Sequence, residues 1–239
     1  MHTETIKQAA ETLIHSWKTV VLTGAGMSTE SGVPDFRSKD GLWFNMDPRD
    51  VATIEAFEQQ YEVFQSFYAQ RVEDLKQIEP HRGHHLIAKW QKEQIVDFVA
   101  TQNVDGLHEE AGTDPIARLH GSIRTFHCAD CGAERTETDF IYAAPCSACE
   151  GRVRPDIILF GEMLPQTDWQ ETLHEIEQAD LVMVIGTSLE VYPVADLPRL
   201  THGKTLYINK DAPPLTHKFD YILEGNAGEV LQEIENARS

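Results

Sequence analysis

Short apolar runs recur along the chain, and each predicts a strand of a buried parallel sheet. Val20, Val21 and Leu22 form the first run, and Gly24 and Gly26 interrupt the pattern directly after it. A continuous apolar run of this length fits a strand that is covered on both faces. By the same criterion we expect strands at residues 94–101, 179–186, 205–208 and 221–223.

Between these runs, apolar residues recur at three- and four-residue spacing, which predicts amphipathic helices. The first predicted helix covers residues 4–17, and its apolar face consists of Ile6, Ala9, Ala10, Leu13, Ile14 and Trp17. Further helices are expected over residues 53–78, 84–90 and 227–237. Strands that alternate with helices in this way predict an α/β fold with a doubly wound, mainly parallel, Rossmann-like sheet.

The helical stretch within residues 39–80 is too long for a simple connection between a strand and a helix, so we interpret it as a helical insertion. Its aromatic residues are expected in the core rather than in a ligand site; they are Phe57, Tyr61, Phe64, Phe67 and Tyr68. His81, His84 and His85 come next. Because no cysteine or carboxylate pattern accompanies these histidines, we interpret them as a surface turn leading into a helix and not as a metal site.

The turn after the first strand has residues that suit phosphate binding. Gly24 and Gly26 let the backbone approach a ligand closely, so bare amide groups could contact an anion there. Ser28, Thr29 and Ser31 are good caps for a following helix, whose positive end also attracts anions. An ordinary tight turn between a strand and a helix is the alternative. The usual G-x-G-x-x-G dinucleotide fingerprint is not met, because Thr29 stands where its third glycine belongs.

The residues that follow predict a polar lid over this turn. Pro34 blocks a long helix, so the chain is expected to return as a loop over the phosphate site. That loop carries an acid, an aromatic ring and a guanidinium group, from Asp35, Phe36 and Arg37. A polar cover of this kind is unusual for an enzyme that transfers hydride from a nucleotide.

Polar residues also cluster where later predicted strands end. Gln102, Asn103 and Asp105 follow one such strand, and Thr187 and Ser188 follow another. The carboxyl ends of parallel strands form the edge at which open α/β sheets bind ligands. The alternative for the first cluster is a helix cap made by Asn103 or Asp105. We favour a binding site because amide and acid groups are dense there.

Four cysteines form two CxxC pairs and predict a metal site. Cys128, Cys131, Cys146 and Cys149 are spaced C-x2-C-x14-C-x2-C, so two knuckles can supply four thiolates to one tetrahedral zinc ion. Four thiolates leave no open coordination position, so the zinc is expected to be structural. A redox CxxC would need only one pair beside a βαβ pattern. We therefore predict a zinc module at about residues 124–152.

Composition and charge narrow the possible partners. The chain has 239 residues and a formal net charge of −19, which argues against binding to nucleic acid or to an anionic membrane. It contains no apolar run of about 18 residues, the length that a membrane span requires. Its first residues lack the pattern of a secretion signal. Paired cysteines in a chain without such a signal point to a reducing cytoplasm.

The motifs of the chain resemble, in the same order, those of the sirtuins, the NAD-dependent protein-lysine deacylases. They are GAGMSTESGVPDFRS, TQNVDGLH, LHGS, the paired CxxC motifs, FGE and GTS, and they extend over nearly the whole chain. The resemblance implies one catalytic domain over residues 1–239, with NAD as cofactor and one structural zinc ion. A Rossmann-like lobe would comprise about residues 1–38, 81–123 and 153–239, with the helical insertion at about 39–80.

Roles for individual residues follow from the same resemblance. His120, in LHGS, is the expected catalytic base, and Asn103 is expected to assist by orienting nicotinamide and its ribose. The positions that match the NAD-binding residues of sirtuins are Gly24, Ala25, Gly26, Thr29, Asp35, Phe36, Arg37, Gln102, Asn103, Val104, Asp105, Gly186, Thr187, Ser188, Asn209 and Ala227.

Two loops would form the walls of a groove for an acyl-lysine peptide. By the resemblance, Phe160, Gly161 and Glu162 belong to one wall, and Val191 belongs to the opposite wall. An extended peptide between them could bind by strand addition, through backbone hydrogen bonds rather than through its sequence. We expect the chain to act as a monomer on acyl-lysine proteins.

The resemblance also implies that NAD serves group transfer and not hydride transfer. The acyl-lysine carbonyl oxygen would attack C1′ of the nicotinamide ribose as nicotinamide leaves, and His120 would then take a proton from a ribose hydroxyl. The products would be nicotinamide, free lysine and an O-acyl-ADP-ribose. An NAD-dependent protein ADP-ribosyltransferase and a non-catalytic NAD-sensing module are the alternatives. The combination of Asn103, Asp105 and His120 favours deacylation.

Tyr68 and Arg71 bear on which acyl group is removed. They are three residues apart in a predicted helix, so both can project from one face. A phenol and a guanidinium can together bind a carboxylate, and the Y-x-x-R spacing is similar to that of the sirtuin branch that removes succinyl, malonyl and glutaryl groups. The alternative is a packed Tyr68 beside a solvated Arg71. Because PDFR in the lid resembles ordinary deacetylases, deacetylation is the default expectation, with desuccinylation or demalonylation as the second.

Overall fold

The computed structural model describes residues 2–35, 41–42, 46–212 and 218–238. The strands in these residues are β1 (Thr19–Thr23), β2 (Phe98–Thr101), β3 (Ile116–Arg118), β4 (Gly121–Cys128), β5 (Glu134–Arg135), β6 (Val153–Ile157), β7 (Leu181–Ile185), β8 (Lys204–Asn209) and β9 (Tyr221–Glu224). The α-helices in these residues include α1 (His2–His15), α2 (Ile54–Gln59), α3 (Tyr61–Leu75), α4 (Arg82–Lys92), α5 (Leu107–Glu110), α6 (Glu137–Ile141), α7 (Gln166–Glu177) and α8 (Ala227–Arg238).

The main sheet has six strands in the described residues, in the order β3-β2-β1-β7-β8-β9. Every neighbouring pair in this sheet is parallel. The strand order reverses between β1 and β7, where the chain has crossed from one half of the sheet to the other. This is the doubly wound arrangement that the alternating pattern predicts.

Helices cover both faces of the sheet because successive residues of each strand point to opposite sides. Val21 belongs to a core cluster shared with residues of α1, α4 and α8, whereas its neighbours Val20 and Leu22 belong to a second cluster shared with α7. All five residues of β1 are buried. The strands predicted from apolar runs are therefore covered by helices on both faces of the sheet.

The helical insertion packs on a second, smaller sheet. This sheet has the order β5-β4-β6, and both of its strand pairs are antiparallel. Phe57, Phe64 and Tyr68 from the insertion share one core cluster with Phe126 and Phe140 from the small sheet and its helix. The aromatic residues of the insertion are thus largely core residues, as the sequence predicts.

Residues 53–78 form two α-helices instead of the one predicted there. The backbone leaves helical geometry at Gln60 (φ −132°, ψ 42°), which separates α2 from α3. Thr53 caps α2 by accepting a hydrogen bond from the Ala56 N–H. Thr53 also forms an isolated bridge with Phe160, and this bridge ties the start of the insertion to the predicted groove wall.

Helix α1 ends two residues earlier than its apolar spacing predicts. Trp17 is 94% exposed and Ile14 is 46% exposed, so the predicted apolar face is wrong at these two positions. The N–H groups of Trp17 and Lys18 instead donate to the carboxylate of Asp180. Asp180 is remote in sequence, so local periodicity carries no sign of the contact that ends the helix.

The glycine-rich turn does not lead into the helix that its capping residues predict. Residues Ala25–Met27 and Thr29–Ser31 form two single-turn 3-10 helices. Ser28, between them, makes no side-chain cap; its hydroxyl donates to Asp105 instead. The expectation that the positive end of a following helix attracts anions at this turn is therefore wrong.

No helix among the residues that the structure describes is long and apolar enough to cross a membrane.

Candidate functional site

A cavity of about 600 Å³ lies where β1, β2, β7 and β8 end, between the main sheet and the helical insertion. It occupies the point at which the strand order reverses, where open α/β sheets form a crevice. Most of the predicted NAD-binding, catalytic and peptide-binding residues line it. Thr29, Asp105 and Ala227 are described but lie outside the lining. The predictions for Phe36 and Arg37 fall outside the described residues.

The glycine loop is needed for close packing of two strand ends. A Cβ atom on Gly26 would lie 2.9 Å from Gly186 Cα, and one on Gly24 would lie 2.7 Å from Thr187 Cβ. The Gly24 N–H donates to Ile185 O, and the Gly26 N–H donates to Gly186 O. The expectation of bare amide groups is therefore wrong for these two glycines. Gly24 and Gly26 instead form a part of the cavity surface that carries no side chains.

Asn103, Ser28 and Asp105 form a buried hydrogen-bond network at the end of β2. Asn103 Nδ2 donates to Ser28 Oγ at 3.0 Å, and Ser28 Oγ donates to Asp105 Oδ2 at 2.7 Å. The other oxygen of Asp105 accepts from the N–H of Leu107, the first residue of α5. Burial raises the pKa of Asp105, although these two donors oppose the effect. Asp105 thus lies beneath the cavity and fixes Asn103, which lines it.

The imidazole of His120 lies in the cavity lining next to Gln102. His120 Nδ1 is 3.1 Å from the Gln102 carbonyl oxygen. A carbonyl can only accept, so Nδ1 carries the proton and the other nitrogen, Nε2, keeps a free lone pair. Burial lowers the pKa of His120, which favours the neutral imidazole. A neutral ring with Nε2 unprotonated has the form of a general base.

A second group of histidines lies behind the cavity. His84 is fully buried, and its Nε2 is 3.4 Å from Ser28 Oγ. Its ring packs against the rings of His81 and His108, with centroid distances of 4.4 and 4.8 Å. The surface-turn interpretation is therefore wrong for His84. Ser28 and His108 come from distant parts of the chain, and no spacing in the sequence indicates these two contacts.

A partly buried ion pair stabilises one predicted wall of the groove. The guanidinium of Arg154 donates to both carboxylate oxygens of Glu162 and to Ile157 O, and Glu162 also accepts from the Leu159 N–H. Phe160 is half-exposed on the same wall, and its N–H donates to Ala52 O. The carboxylate of Glu162 is engaged within the wall, so its part in the lining is to hold the wall's shape.

Tyr68 and Arg71 line the insertion side of the cavity, together with the small residue Ala52. Tyr68 is buried, and burial raises the pKa of its phenol to about 12. Arg71 is half-buried, with its guanidinium carbon 5.9 Å from the centre of the Tyr68 ring and 5.7 Å from that of Phe67. Both polar groups therefore lie at one end of the cavity, as their spacing on one helix predicts.

The opposite end of the cavity lies beyond β7 and β8. Asn209 Nδ2 donates to the Tyr207 hydroxyl, which donates in turn to the Thr187 carbonyl. Thr187 Oγ1 accepts from Gln102 Nε2 at 3.1 Å. This chain of hydrogen bonds joins the ends of β8, β7 and β2. Ser188, and Val191 in the predicted second wall of the groove, follow β7 in the same lining.

The sulfur atoms of the four cysteines meet beside the end of β4, outside the cavity lining. Their sulfur atoms all lie within 4.8 Å of one another, with Cys128 and Cys149 Sγ 3.4 Å apart and Cys131 and Cys146 Sγ 3.7 Å apart. A tetrahedron of thiolates at the usual zinc–sulfur bond length of about 2.3 Å has edges of about 3.8 Å. A disulfide would need sulfurs only about 2.0 Å apart. The donor set and its spacing fit one structural zinc ion.

Comparison with known proteins places the chain in a family. A family model described as the Sir2 family matches residues 24–193. The NAD-dependent protein deacetylase 1 of Geobacillus kaustophilus is 43% identical over 227 residues, which cover 93% of this chain and 94% of the relative. The NAD-dependent protein deacylase 1 of Archaeoglobus fulgidus is 40% identical over 230 residues, with 94% of each chain covered. This chain belongs to the Sir2 family.

Solved structures of the family have the same fold. A Sir2 homologue in complex with NAD has a TM-score of 0.89 and 37% identity, with 97% of this chain and 93% of that chain covered. A mutant of a Sir2 homologue in complex with ADP-ribose has a TM-score of 0.92 and 36% identity, with 97% and 96% covered.

Proposed function

We propose that this chain is an NAD-dependent protein-lysine deacylase that yields nicotinamide, free lysine and O-acyl-ADP-ribose. The observation that carries the proposal is a single cavity in which four strand ends, the imidazole of His120 and both walls of a groove meet. Relatives named NAD-dependent protein deacetylase and deacylase, at 43% and 40% identity over nearly the whole chain, support it.

The residues present fit NAD. A volume of about 600 Å³ is within the usual range of small-molecule sites, about 300–1,000 Å³. We assign the end near Asn209 and Thr187 to the adenosine part, and the end near Asn103 to nicotinamide and its ribose. When bound, NAD would supply an ADP-ribosyl group with nicotinamide as its leaving group. Asn103 would orient the nicotinamide end, because Ser28 and Asp105 hold its side chain in one rotamer.

His120 is assigned the role of general base. Its proton stays on Nδ1, bonded to Gln102 O, so Nε2 is the atom that would accept a proton from a ribose hydroxyl. A protein substrate would place its acyl-lysine between the wall at Phe160 and the wall at Val191. Main-chain pairing with those walls would bind the peptide without a strong sequence requirement.

The experiment that tests the proposal incubates the protein with NAD and an acetyl-lysine peptide, and measures released nicotinamide and deacylated peptide. Equal amounts of both products are expected. An ADP-ribosyltransferase would release nicotinamide and add mass to a protein without deacylating the peptide. An NAD-sensing module would bind NAD and release neither product, and that outcome would contradict the proposal.

For the acyl group, we propose deacetylation as the default activity, with removal of succinyl or malonyl groups as a second activity. The observation that favours the second is the position of Tyr68 and Arg71 in the cavity lining. The raised pKa of Tyr68 keeps its phenol protonated at neutral pH, so it can donate to a carboxylate. Arg71 would add a charge-assisted bond to the same carboxylate, and Ala52 leaves space beside them.

Arg71→Met should reduce kcat/KM for a succinyl-lysine peptide by about tenfold or more, since a charged hydrogen bond contributes about 1.5–3 kcal/mol. The matched acetyl-lysine peptide serves as the control, and its turnover by the variant should stay close to wild type. Tyr68→Phe should shift the ratio in the same direction. Equal losses on both peptides would assign Arg71 to packing and not to acyl recognition.

We further propose that the chain works as a monomer, in the cytoplasm, on protein and not on nucleic acid. The net charge of −19 disfavours nucleic acid. Four cysteines grouped as metal ligands suit a reducing compartment. Size-exclusion chromatography with light scattering would test the monomer, and a larger mass would contradict it.

A further inference from the structure

Arg124, in the middle of β4, reaches across to the loop that carries Asn103 and Asp105. Its Nε donates to the main-chain carbonyl of Asp105, and its Nη2 forms an ion pair with Glu110 at 2.7 Å. One guanidinium group thus contacts both the end of the loop and the short helix α5 that follows it. A planar fork with several donors is suited to such a double contact.

Gly106 makes this contact possible. A Cβ atom there would lie 2.6 Å from Arg124 Nε, so a larger residue would displace the guanidinium group. The φ angle of Gly106 is +80°, which L side chains rarely adopt. The backbone therefore turns at Gly106 in a way that exposes the Asp105 carbonyl to Arg124.

A second hydrogen bond ties the same loop to the same strand. The Ile123 N–H donates to the Val104 carbonyl at 3.0 Å. Strand β4 begins directly after His120 and ends at Cys128, a predicted zinc ligand. Strand β4 thus connects the loop that carries Asn103 and Asp105 with His120 and with the zinc module. Arg124 is the side chain of this strand that contacts the loop.

We infer that Arg124 is a positioning residue, which holds the Asp105 carbonyl and thereby keeps Asn103 in the orientation that nicotinamide release requires. The inference rests on the proposed function. Arg124 is not in the cavity lining, so it acts through the loop and not on the reacting atoms. Loss of the bond would let the peptide between Asp105 and Gly106 rotate, and the Asp105–Ser28–Asn103 network depends on the placement of Asp105.

The chain offers a matched control. Arg118 on β3 forms an ion pair with Glu109, the neighbour of Glu110 on the same short helix. The side chain of Arg118 donates from Nε to the carboxylate of Glu109. Arg118→Gln therefore removes an ion pair to α5 while leaving the contact with Asp105 intact, and Glu110→Gln removes the charge partner of Arg124 while keeping its bond to the carbonyl.

The experiment measures KM for NAD, kcat, exchange of labelled nicotinamide into NAD, and the thermal unfolding midpoint. For Arg124→Gln we expect nicotinamide exchange to fall by about tenfold, which corresponds to the loss of one charge-assisted bond. The thermal unfolding midpoint should change only slightly. Arg124→Lys should be intermediate, because an ammonium group cannot reproduce the fork. Arg118→Gln and Glu110→Gln should stay within about twofold of wild type.

Equal nicotinamide exchange by the Arg124→Gln and Arg118→Gln variants would overturn the inference. The proposed function would still stand in that case if the wild-type protein released nicotinamide. A Glu110→Gln variant that loses as much as Arg124→Gln would also overturn it, because the ion pair alone would then account for the effect. If Arg124→Gln does not fold, Arg124→Lys and Glu110→Gln decide. A wild-type protein that releases no nicotinamide would instead contradict the proposed function.

Discussion

The imidazole of His120 combines a fixed tautomer with a lowered pKa. The carbonyl of Gln102 holds the proton on Nδ1, and burial favours the neutral ring. A base must be unprotonated to act, so a lowered pKa extends activity toward acid pH. For a base that titrates alone, kcat/KM should therefore fall only as pH decreases through a value below the ordinary histidine pKa of about 6.5.

Replacing His120 tests its proposed role as the base. His120→Ala should reduce deacylation by about 10²–10⁴-fold, the usual contribution of a general base, while NAD binding and zinc content stay close to wild type. His85→Ala is the matched control, because His85 is an exposed histidine on α4. Turnover of the His120→Ala protein within a few-fold of wild type would rule out the role of base.

How far single residues could be predicted depends on where their partners lie. Asn103, Gln102 and His120 belong to contiguous motifs after strands, and the structure places all three in one cavity lining. His84 and Arg124 have no such local sign. His84 meets Ser28, which is 56 residues away, and Arg124 meets a carbonyl 19 residues away. Only tertiary packing brings these groups together, and the sequence pattern does not encode it locally.

At the scale of elements, the zinc module is joined to the helical insertion. Gln65 on α3 donates to the carbonyls of Phe140 and Ile141 at the end of α6, and Phe64 on α3 shares a core cluster with Phe126 and Phe140 of the module. The short strands and loops of the module bury few residues of their own. Its order is therefore expected to depend on the metal as well as on this contact.

Cys131→Ser should accordingly release zinc and unfold at least the module, since structural zinc contributes on the order of 10–16 kcal/mol in small zinc domains. Metal analysis and thermal unfolding would measure the loss, and Ser147→Ala, within the loop that bears two of the cysteines, is the control. Wild-type protein that contains no zinc would contradict the prediction. So would a Cys131→Ser protein with unchanged melting and activity.

Among the elements, strands were more predictable than helix ends. The cores of β1, β7 and β8 coincide with apolar runs, because burial on both faces demands apolar residues throughout. The strand expected over residues 94–101 begins only at Phe98, because Gln94 adopts a positive φ of 59° after α4. The end of α1 and the break at Gln60 depend on long-range contacts and local backbone geometry that apolar spacing does not report.

At the scale of the whole molecule, the candidate site depends on packing between distant segments. The main sheet provides the edge, while the insertion and the small sheet close the cavity over it. The order of motifs in the sequence predicted the main sheet, the insertion and the zinc module. Their mutual placement was not predictable from spacing, because the contacts between them involve residues far apart in the chain, such as Phe160 with Ala52.

The buried histidines behind the cavity should make the protein lose stability in mild acid. Burial lowers the pKa of His84 to about 2 and that of His108 to about 4, from an ordinary value of 6.5. His81, Glu109 and the buried network at Ser28 and Asp105 surround them. Below pH 6.5 the unfolded chain binds protons that the folded chain excludes, so stability falls as pH decreases from 6.5 toward the folded values. The loss from His108 alone would be on the order of 3 kcal/mol.

Chemical unfolding at several pH values between about 7.5 and about 4.5 would measure this loss. This pH range avoids the titration of Glu235. Its ion pairs lower the pKa of its carboxyl group from 4.5 to about 2, so its contribution to stability is lost only below pH 4.5. Acid also protonates thiolates and releases zinc, so the decisive quantity is the difference between variants. His108→Gln should flatten the pH dependence by about 1.4 kcal/mol per pH unit, whereas His85→Gln, on the exposed side of α4, should leave it unchanged. Equal slopes for wild type and His108→Gln would show that the buried imidazole does not set the acid limit of the fold.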